Sequence, residues 1–420
     1  MKKRKHWALR VVLVLLSFIM MSSSISMGTS VVHVWQNLSL GSSGISERIE
    51  RTSGSPIAMI AKRHKVQSIQ EDRETDNRLR QADYTVNTEK QPIYLIPGGQ
   101  SIGVQLNTKG VLVVGYHLIL TEKGDASPGE SAGIRIGDVI TKINGQNMGS
   151  ITDVRQIMRR AEAGRPLQVT VLRQREIVVK QLKPILNKRN GHYQLGLFIR
   201  DSASGIGTMT FYDPNTGIYG ALGHVISDRD TGQPLMVKDG HIVRSIVQAI
   251  DRGQEGKPGE KIAFFPEHAV GIGSVIKNTP FGIYGKMGKS YMTRSDIFKK
   301  PLPIATASQV KEGPAKILTV LNGNKVEAFN IRILNSIPQK HPETKGLVIK
   351  ITDSRLLKTT GGIIQGMSGS PIIQDGRLVG AVTHVFVNDP TSGYGVHIEW
   401  MIDEAGLQRN QQVLNKEIAS

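Results

Sequence analysis

The sequence predicts a mainly β protein with two folded units behind an N-terminal apolar segment. Three observations carry this. Glycine is abundant (45 of 420 residues) while aromatics make up only 5%, a balance suited to turn-rich sheets. The stretch from Ser127 to Gly145 sets a short helix, a glycine turn and a strand in a recognisable order. Near the C-terminus, Gly366-Met367-Ser368-Gly369-Ser370-Pro371 places a serine on a tight glycine-flanked turn.

The chain divides into four segments. Residues 1–28 hold the basic cluster Lys2-Lys3-Arg4-Lys5 and the apolar run Val11 to Met21. With Ser22 to Met27 included, the segment reaches about 17 residues after Arg10, at the short end for a membrane span. The basic cluster keeps the start on the cytoplasmic side and directs the rest outward, as an anchor or as a cleaved signal. Residues 29–91 are polar and charged and read as a linker, where proteolytic nicking is most feasible. Residues 92–187 and 188–420 are the two folded units.

In the first unit, Ala132-Gly133 opens a helix, Gly137-Asp138 makes a turn, and the next strand ends at Asn144-Gly145. Val154, Ile157, Met158 and Ala161 recur at helical spacing within Thr152 to Ala163. Val169–Leu172 and Ile177–Leu182 flank a turn at Arg173-Gln174-Arg175. In this order the elements look like a PDZ domain, which binds a peptide by strand addition. Gln100 to Leu106 reads as its carboxylate-binding loop, with Ser101, Ile102, Gly103 and Val104 as the peptide-binding residues.

The second unit carries the chemistry. Small residues around Ser368 let the backbone N–H groups of Gly366 and Ser368 point at one developing oxyanion. Ile372-Ile373, the turn Gln374-Asp375-Gly376-Arg377, and Leu378 to Thr383 follow, as in the last barrel of a chymotrypsin-like protease. A serine hydroxyl needs a base, and that base needs orienting. His224 is the favoured base: a hairpin joins Thr208–Tyr212 to Ile218–Leu222 across Asp213 to Gly217, and Gly223 presents the imidazole at its end. His384, 16 residues beyond Ser368, is either a wall of the substrate pocket or a rival base. Asp353, ending the apolar run from Gly346, is the preferred orienting carboxylate and gives the order His, Asp, Ser. Asp353-Ser354-Arg355-Leu356-Leu357 reads equally as a helix start with Asp353 as N-cap. Asp228 and Asp230 are the other candidates. Thr359 to Ile364 stands where the specificity pocket's floor is expected and holds no acidic residue, which disfavours Lys or Arg at P1 and favours a small or apolar residue.

These motifs resemble those of the SpoIVB-type serine peptidases of endospore-forming bacteria. The likeness runs from the apolar segment through the PDZ-like unit, and is most specific at Thr210 to Pro214, Gly220 to His224 and Gly366 to Pro371. It implies that His224, Asp353 and Ser368 form a triad. It also implies export across the forespore membrane, anchoring at first and then release into the intermembrane space by self-cleavage. The implied substrate is the regulatory partner of an intramembrane metalloprotease, whose activation leads to processing of a late sigma factor. An inhibitor protein in the same space is a further implied partner.

Composition excludes other classes. With no cysteine there is no disulfide, thiolate chemistry or Cys-ligated zinc, and no H-E-x-x-H occurs, so neither metal nor cofactor is expected. The net charge of +18 is spread over the chain without a nucleic-acid-binding pattern, and fits contact with anionic lipid better than nucleic acid. An HtrA-like envelope quality-control protease is the alternative enzyme, although there the PDZ unit usually follows the protease. A non-catalytic PDZ scaffold is the alternative without chemistry.

Overall fold

The computed structural model describes residues 92–407, apart from 122–123, 266–269, 289–290, 292–296, 299, 338 and 340. The segments 1–28 and 29–91, with the expected anchor and self-cleavage region, lie outside the described residues. Among the described residues no helix is long and apolar enough to cross a membrane.

Two 16-residue strands organise the first part of the molecule, Ser101–Tyr116 and Leu197–Tyr212. They pair antiparallel along nearly their whole length, from Ser101 opposite Thr208 to Tyr116 opposite Leu197. At one end of this ribbon, Val111 and Leu112 pair with Ile140 and Val139. The sheet continues there through Leu167–Arg173 and Glu176–Leu182. Helices α1 (Pro128–Ser131) and α2 (Ile151–Arg159) complete this PDZ unit. Val111, Ile140, Val154, Val169 and Leu182 are among the residues that fill its core. Its tight turns are legible in the sequence: Asn144 and Gly145 both take positive φ, as do Gln174 and Arg175, the requirement of a type I′ hairpin.

At the other end, the same two strands belong to the protease. Ile102 to Leu106 pair with Ala203–Gly207 on one edge and with Gly240–Arg244 on the other. Tyr94–Pro97 joins Phe211 and Tyr212, and Ile218–Ala221 joins Met209 to Tyr212. Ile102, Val104, Tyr219, Ile242 and Ile283 pack together beneath. The expected boundary at 187/188 is therefore not where the sheet divides. Residues 94–106 build the first half of the protease, and the PDZ unit is inserted between its paired strands.

This overturns the reading of Ser101, Ile102, Gly103 and Val104 as a peptide-binding loop. They lie inside a strand already paired on both edges, so no edge is left for an added peptide. All four are buried, and a Cβ on Gly103 would meet Val243 Cγ2 at 2.7 Å.

The second half of the protease is a closed six-stranded barrel: Gly313–Val320, Val326–Ser336, Leu347–Ile351, Asp389–His397, Arg377–Phe386 and Pro371–Gln374. Alternating aliphatic residues such as Ile317, Phe329, Ile331, Ile349 and Val382 fill it, as period-2 burial requires. Helix α3 (Ser354–Thr360) leaves this barrel after Ile351, and α4 (Ile398–Ala405) closes the described chain.

Candidate active site

Ser368 stands on the turn entering Pro371–Gln374, between the two halves of the protease. Gly366 takes φ 89° and Gly369 φ 92°. A Cβ on Gly369 would lie 2.1 Å from the Thr208 carbonyl oxygen, so this approach of turn to strand requires glycine. The strand Leu197–Tyr212 holds the turn from below. Thr208 N–H donates to Ser368 O at 3.0 Å. Thr208 Oγ1 donates to Gly366 O at 2.7 Å and Thr210 Oγ1 to Gly369 O at 2.8 Å. Both threonines are fully buried. The N–H groups of Gly366 and Ser368 are engaged by no other group among the described residues.

Ser368 and His224 line one cavity of about 490 Å³, with Leu222, Lys261, Gln365 and Gly366 on its walls. Leu222 and Gly223 both adopt positive φ, which swings the chain so that His224 leaves the strand. The imidazole is half-buried, and burial lowers its pKa from the ordinary value, partly opposed by a backbone hydrogen bond. Its Nδ1 lies 2.8 Å from the carbonyl oxygen of Val225. A carbonyl only accepts, so that contact assigns the proton to Nδ1 and leaves Nε2 as the lone-pair nitrogen. This is the tautomer a general base needs. The Ser368 hydroxyl itself donates to Thr383 O at 3.0 Å, so transfer to His224 requires Oγ to rotate away from that carbonyl.

The structure does not bring Asp353 to this imidazole. Asp353 is the N-cap of α3: Oδ1 accepts from the backbone N–H groups of Arg355 and Leu356, and Oδ2 from Asn330 N–H at 3.2 Å. The place beside His224 Nδ1 is held by Val225 O instead. Asp228 and Asp230 are also committed, each paired with Arg200. His384 is exposed, with its ring centroid 5.4 Å from that of His224. It is a neighbour of the base, and the serine reaches the carbonyl of the residue before it. Ile363 and Ile364, on the stretch expected to floor the specificity pocket, are buried in the barrel core. Gln365 and Gly366 face the cavity in their place.

Three contributors were missed by sequence reasoning. Thr208 and Thr210 fall on one face at the end of their strand, with Met209 and Phe211 on the other, a signal open to reading. Lys261, 4% exposed, sits in Glu260–Phe264 with nothing local to mark it.

A second cavity, of about 500 Å³, opens between α2 and the start of the returning strand. Ile151 and Met158 face Leu195, Gly196, Leu197 and Phe198 across it. Leu197 and Phe198 pair with Tyr116 and Gly115 on one edge, and the other edge faces the helix. This apolar slot between strand and helix, rather than Ser101–Val104, has the form that strand addition uses.

With this geometry in place, the comparisons with known proteins are decisive at the family level. Residues 191–402, which contain Ser368 and His224, match the SpoIVB peptidase S55 family, and residues 122–173 match the PDZ domain. The chain belongs to the SpoIVB peptidase S55 family. No curated protein matches it. Among solved structures, the active form of the Rv3671c protease from M. tuberculosis is similar at 15% identity, covering 49% of this chain and 74% of that one, with a TM-score of 0.27. An inactive form of the Rv3671c protease is similar at 16% identity, covering 48% of this chain and 84% of that one, with a TM-score of 0.28. By its two family matches this S55 peptidase is a PDZ-containing serine protease.

Proposed function

We propose that the chain is an endopeptidase in which Ser368 is the nucleophile and His224 its base, oriented by Val225 O instead of by a carboxylate. The observation that carries this is the pairing in one cavity of a glycine-flanked serine and an imidazole whose Nδ1 is held by a carbonyl. Rotation of Oγ from Thr383 O towards Nε2 passes the hydroxyl proton to His224 as Oγ bonds to the scissile carbonyl carbon. The Gly366 and Ser368 N–H groups receive the oxyanion. The imidazolium returns its proton to the departing amine as the C–N bond breaks. Water then repeats the cycle on the acyl-enzyme, with His224 as base again.

The biological reading rests on family membership. The substrate is a membrane-associated regulatory protein of an intramembrane metalloprotease, cut in the space between forespore and mother cell so that a late sigma factor is processed. The N-terminal segment anchors the enzyme until it cuts itself within residues 29–91 and becomes diffusible. An inhibitor protein in that space restrains it. The slot between α2 and Leu195–Phe198 holds a peptide segment of the target or of the chain's own N-terminal region.

Ser368→Ala tests the chemistry. It should lower peptide cleavage by on the order of 10⁴ to 10⁶, and His224→Ala with it should be little worse. In a sporulating cell, Ser368→Ala should accumulate as the full-length form only. Near-normal cleavage by that variant would end the serine-protease mechanism, and shortened species with wild-type N-termini would assign the release to another enzyme.

A further inference from the structure

Gly366 supplies one of the two oxyanion donors, and a glycine at positive φ is the least constrained residue in the turn. Its N–H belongs to the peptide plane shared with Gln365, where C=O and N–H point in opposite directions. Holding the Gln365 carbonyl therefore aims the Gly366 N–H. That carbonyl accepts from the backbone N–H of Lys261 at 3.0 Å, while Gln365 N–H donates to Gly259 O at 2.8 Å. The next carbonyl, of Gly366 itself, accepts from Thr208 Oγ1 at 2.7 Å. The Lys261 ammonium donates to Thr319 Oγ1 at 2.7 Å and, over a longer 3.4 Å, to Thr208 Oγ1.

The direction of these bonds follows from the groups. An ammonium donates and never accepts, so Thr208 Oγ1 accepts from Lys261 and its one proton is left for the Gly366 carbonyl. The lysine stem fills the remaining space. A Cβ added to Gly366 would meet Lys261 Cδ, Cβ and Cγ at 3.1 to 3.2 Å. One residue thus controls both peptide planes around Gly366 and the volume beside it. Among the described residues no carboxylate pairs with this ammonium, and its burial is otherwise an uncompensated expense for the fold.

The geometry points to the Lys261 ammonium as the positioning group of the oxyanion turn, acting through Thr208 on the Gly366 carbonyl, while the main-chain N–H at this position, which any residue supplies, holds Gln365. The inference rests on Ser368 being the nucleophile. Burial pushes the Lys261 amine down to about 7, which keeps a protonated fraction available at neutral pH.

Lys261→Met in the full chain keeps the stem and removes the donor. Its kcat on a short peptide should fall by about tenfold to a hundredfold, below the 10² to 10³ that follows loss of an oxyanion donor outright. KM should stay within about twofold. Affinity for a peptide aldehyde, whose adduct with Ser368 carries the oxyanion, should weaken by the factor seen in kcat. Affinity for the cleaved product peptide should not change. Thr208→Val should reproduce the loss, and the double variant should be no worse than either, because both act on one carbonyl. Thr208→Val carries the test alone if Lys261→Met does not fold.

Wild-type kcat and aldehyde affinity in Lys261→Met would overturn the inference. So would equal weakening of aldehyde and product, which marks a merely structural residue. Labelling of Ser368 by a fluorophosphonate separates the two levels. Wild type unlabelled removes the nucleophile and this inference with it. Wild type labelled, with Lys261→Met labelled at the same rate and equally active, removes this inference alone.

Discussion

His224 must be neutral to accept the serine proton, and burial holds its pKa below the ordinary 6.5. Activity on a short peptide should therefore persist into mildly acidic buffer and fall only as pH drops through that lowered value. A kcat/KM profile with its acid limb above 6.5 would contradict this. Lys261 sets a dependence of the same sign in stability, in a more alkaline window. Its folded pKa of about 7 lies below the ordinary 10.5, so between those values the unfolded chain holds a proton that the folded chain does not. Stability then rises with pH across that window, by up to about 1.4 kcal/mol per unit. Lys261→Met should abolish the slope, read as unfolding midpoint against pH. Ser370 separates the two serines of the motif: its hydroxyl is fully buried, with no partner among the described residues. Ser370→Ala should leave activity intact and hold or raise stability, whereas Ser368→Ala should be inactive. At this scale the turn that carries Ser368 and the hairpin end that carries His224 were legible, because small residues at such bends leave a local trace. Lys261 was not, because its meaning lies in contacts with Thr208, Thr319 and Gln365, none of them near it in sequence.

Among elements, α3 explains why one reading of Asp353 failed. An aspartate that ends a strand and starts a helix has the same local pattern as a triad carboxylate at a strand end, and the sequence leaves both open. The three backbone N–H groups on its oxygens decide for the cap. Asp353→Ala should destabilise the protein by roughly 0.5–2 kcal/mol. Asp353→Asn keeps a cap oxygen and gives up the acceptor for Asn330, so it should lose less. Both should turn over at the wild-type rate wherever they are folded. A folded Asp353→Asn with turnover down by about 10⁴, the effect of the wrong histidine tautomer, would restore the carboxylate to the site. The start of the PDZ helix was read within one residue because apolar spacing is a local signal, while the helix ends at Arg159, short of the expected Ala163. The strand edge open to the helix was missed because Ser101–Val104 and Leu195–Phe198 are both short, glycine-containing apolar stretches. Only strand pairing tells which has a free edge. Met158→Glu, set in the slot, should spare a short peptide and impair cleavage of the protein target or self-cleavage; equal loss on both would deny the slot a role in recognition.

For the whole molecule, the two protease halves and the PDZ unit were recognisable in sequence, and the way the chain threads them was not. Of the two long strands, the sequence reads only a loop at Gln100–Leu106 and a short strand at Thr208–Tyr212, and register between residues a hundred positions apart leaves no local mark. The consequence is testable. Residues 188–420 hold every residue of the proposed catalytic centre, yet lack Tyr94–Pro97 and Ser101–Leu106, which pair with two strands of the first protease half. Expressed alone, that fragment should fail to fold cooperatively, since Val237–Arg244 and Leu197–Tyr212 would each lose a partner and Ile102, Val104 and Leu106 would leave a shared core. Removing the PDZ unit at its true junction should succeed. Asn107 stands opposite Ser202 in the register, so residues 108–201 can be replaced by an Asn-Gly turn that closes a hairpin. The shortened protein, starting at residue 92, should unfold in one transition and cleave a short peptide at a rate near that of the intact chain, while losing preference for the protein target. Cooperative folding of 188–420, or failure of the hairpin-closed protein to fold, would show that the PDZ unit is not an insertion between two strands of a self-sufficient protease.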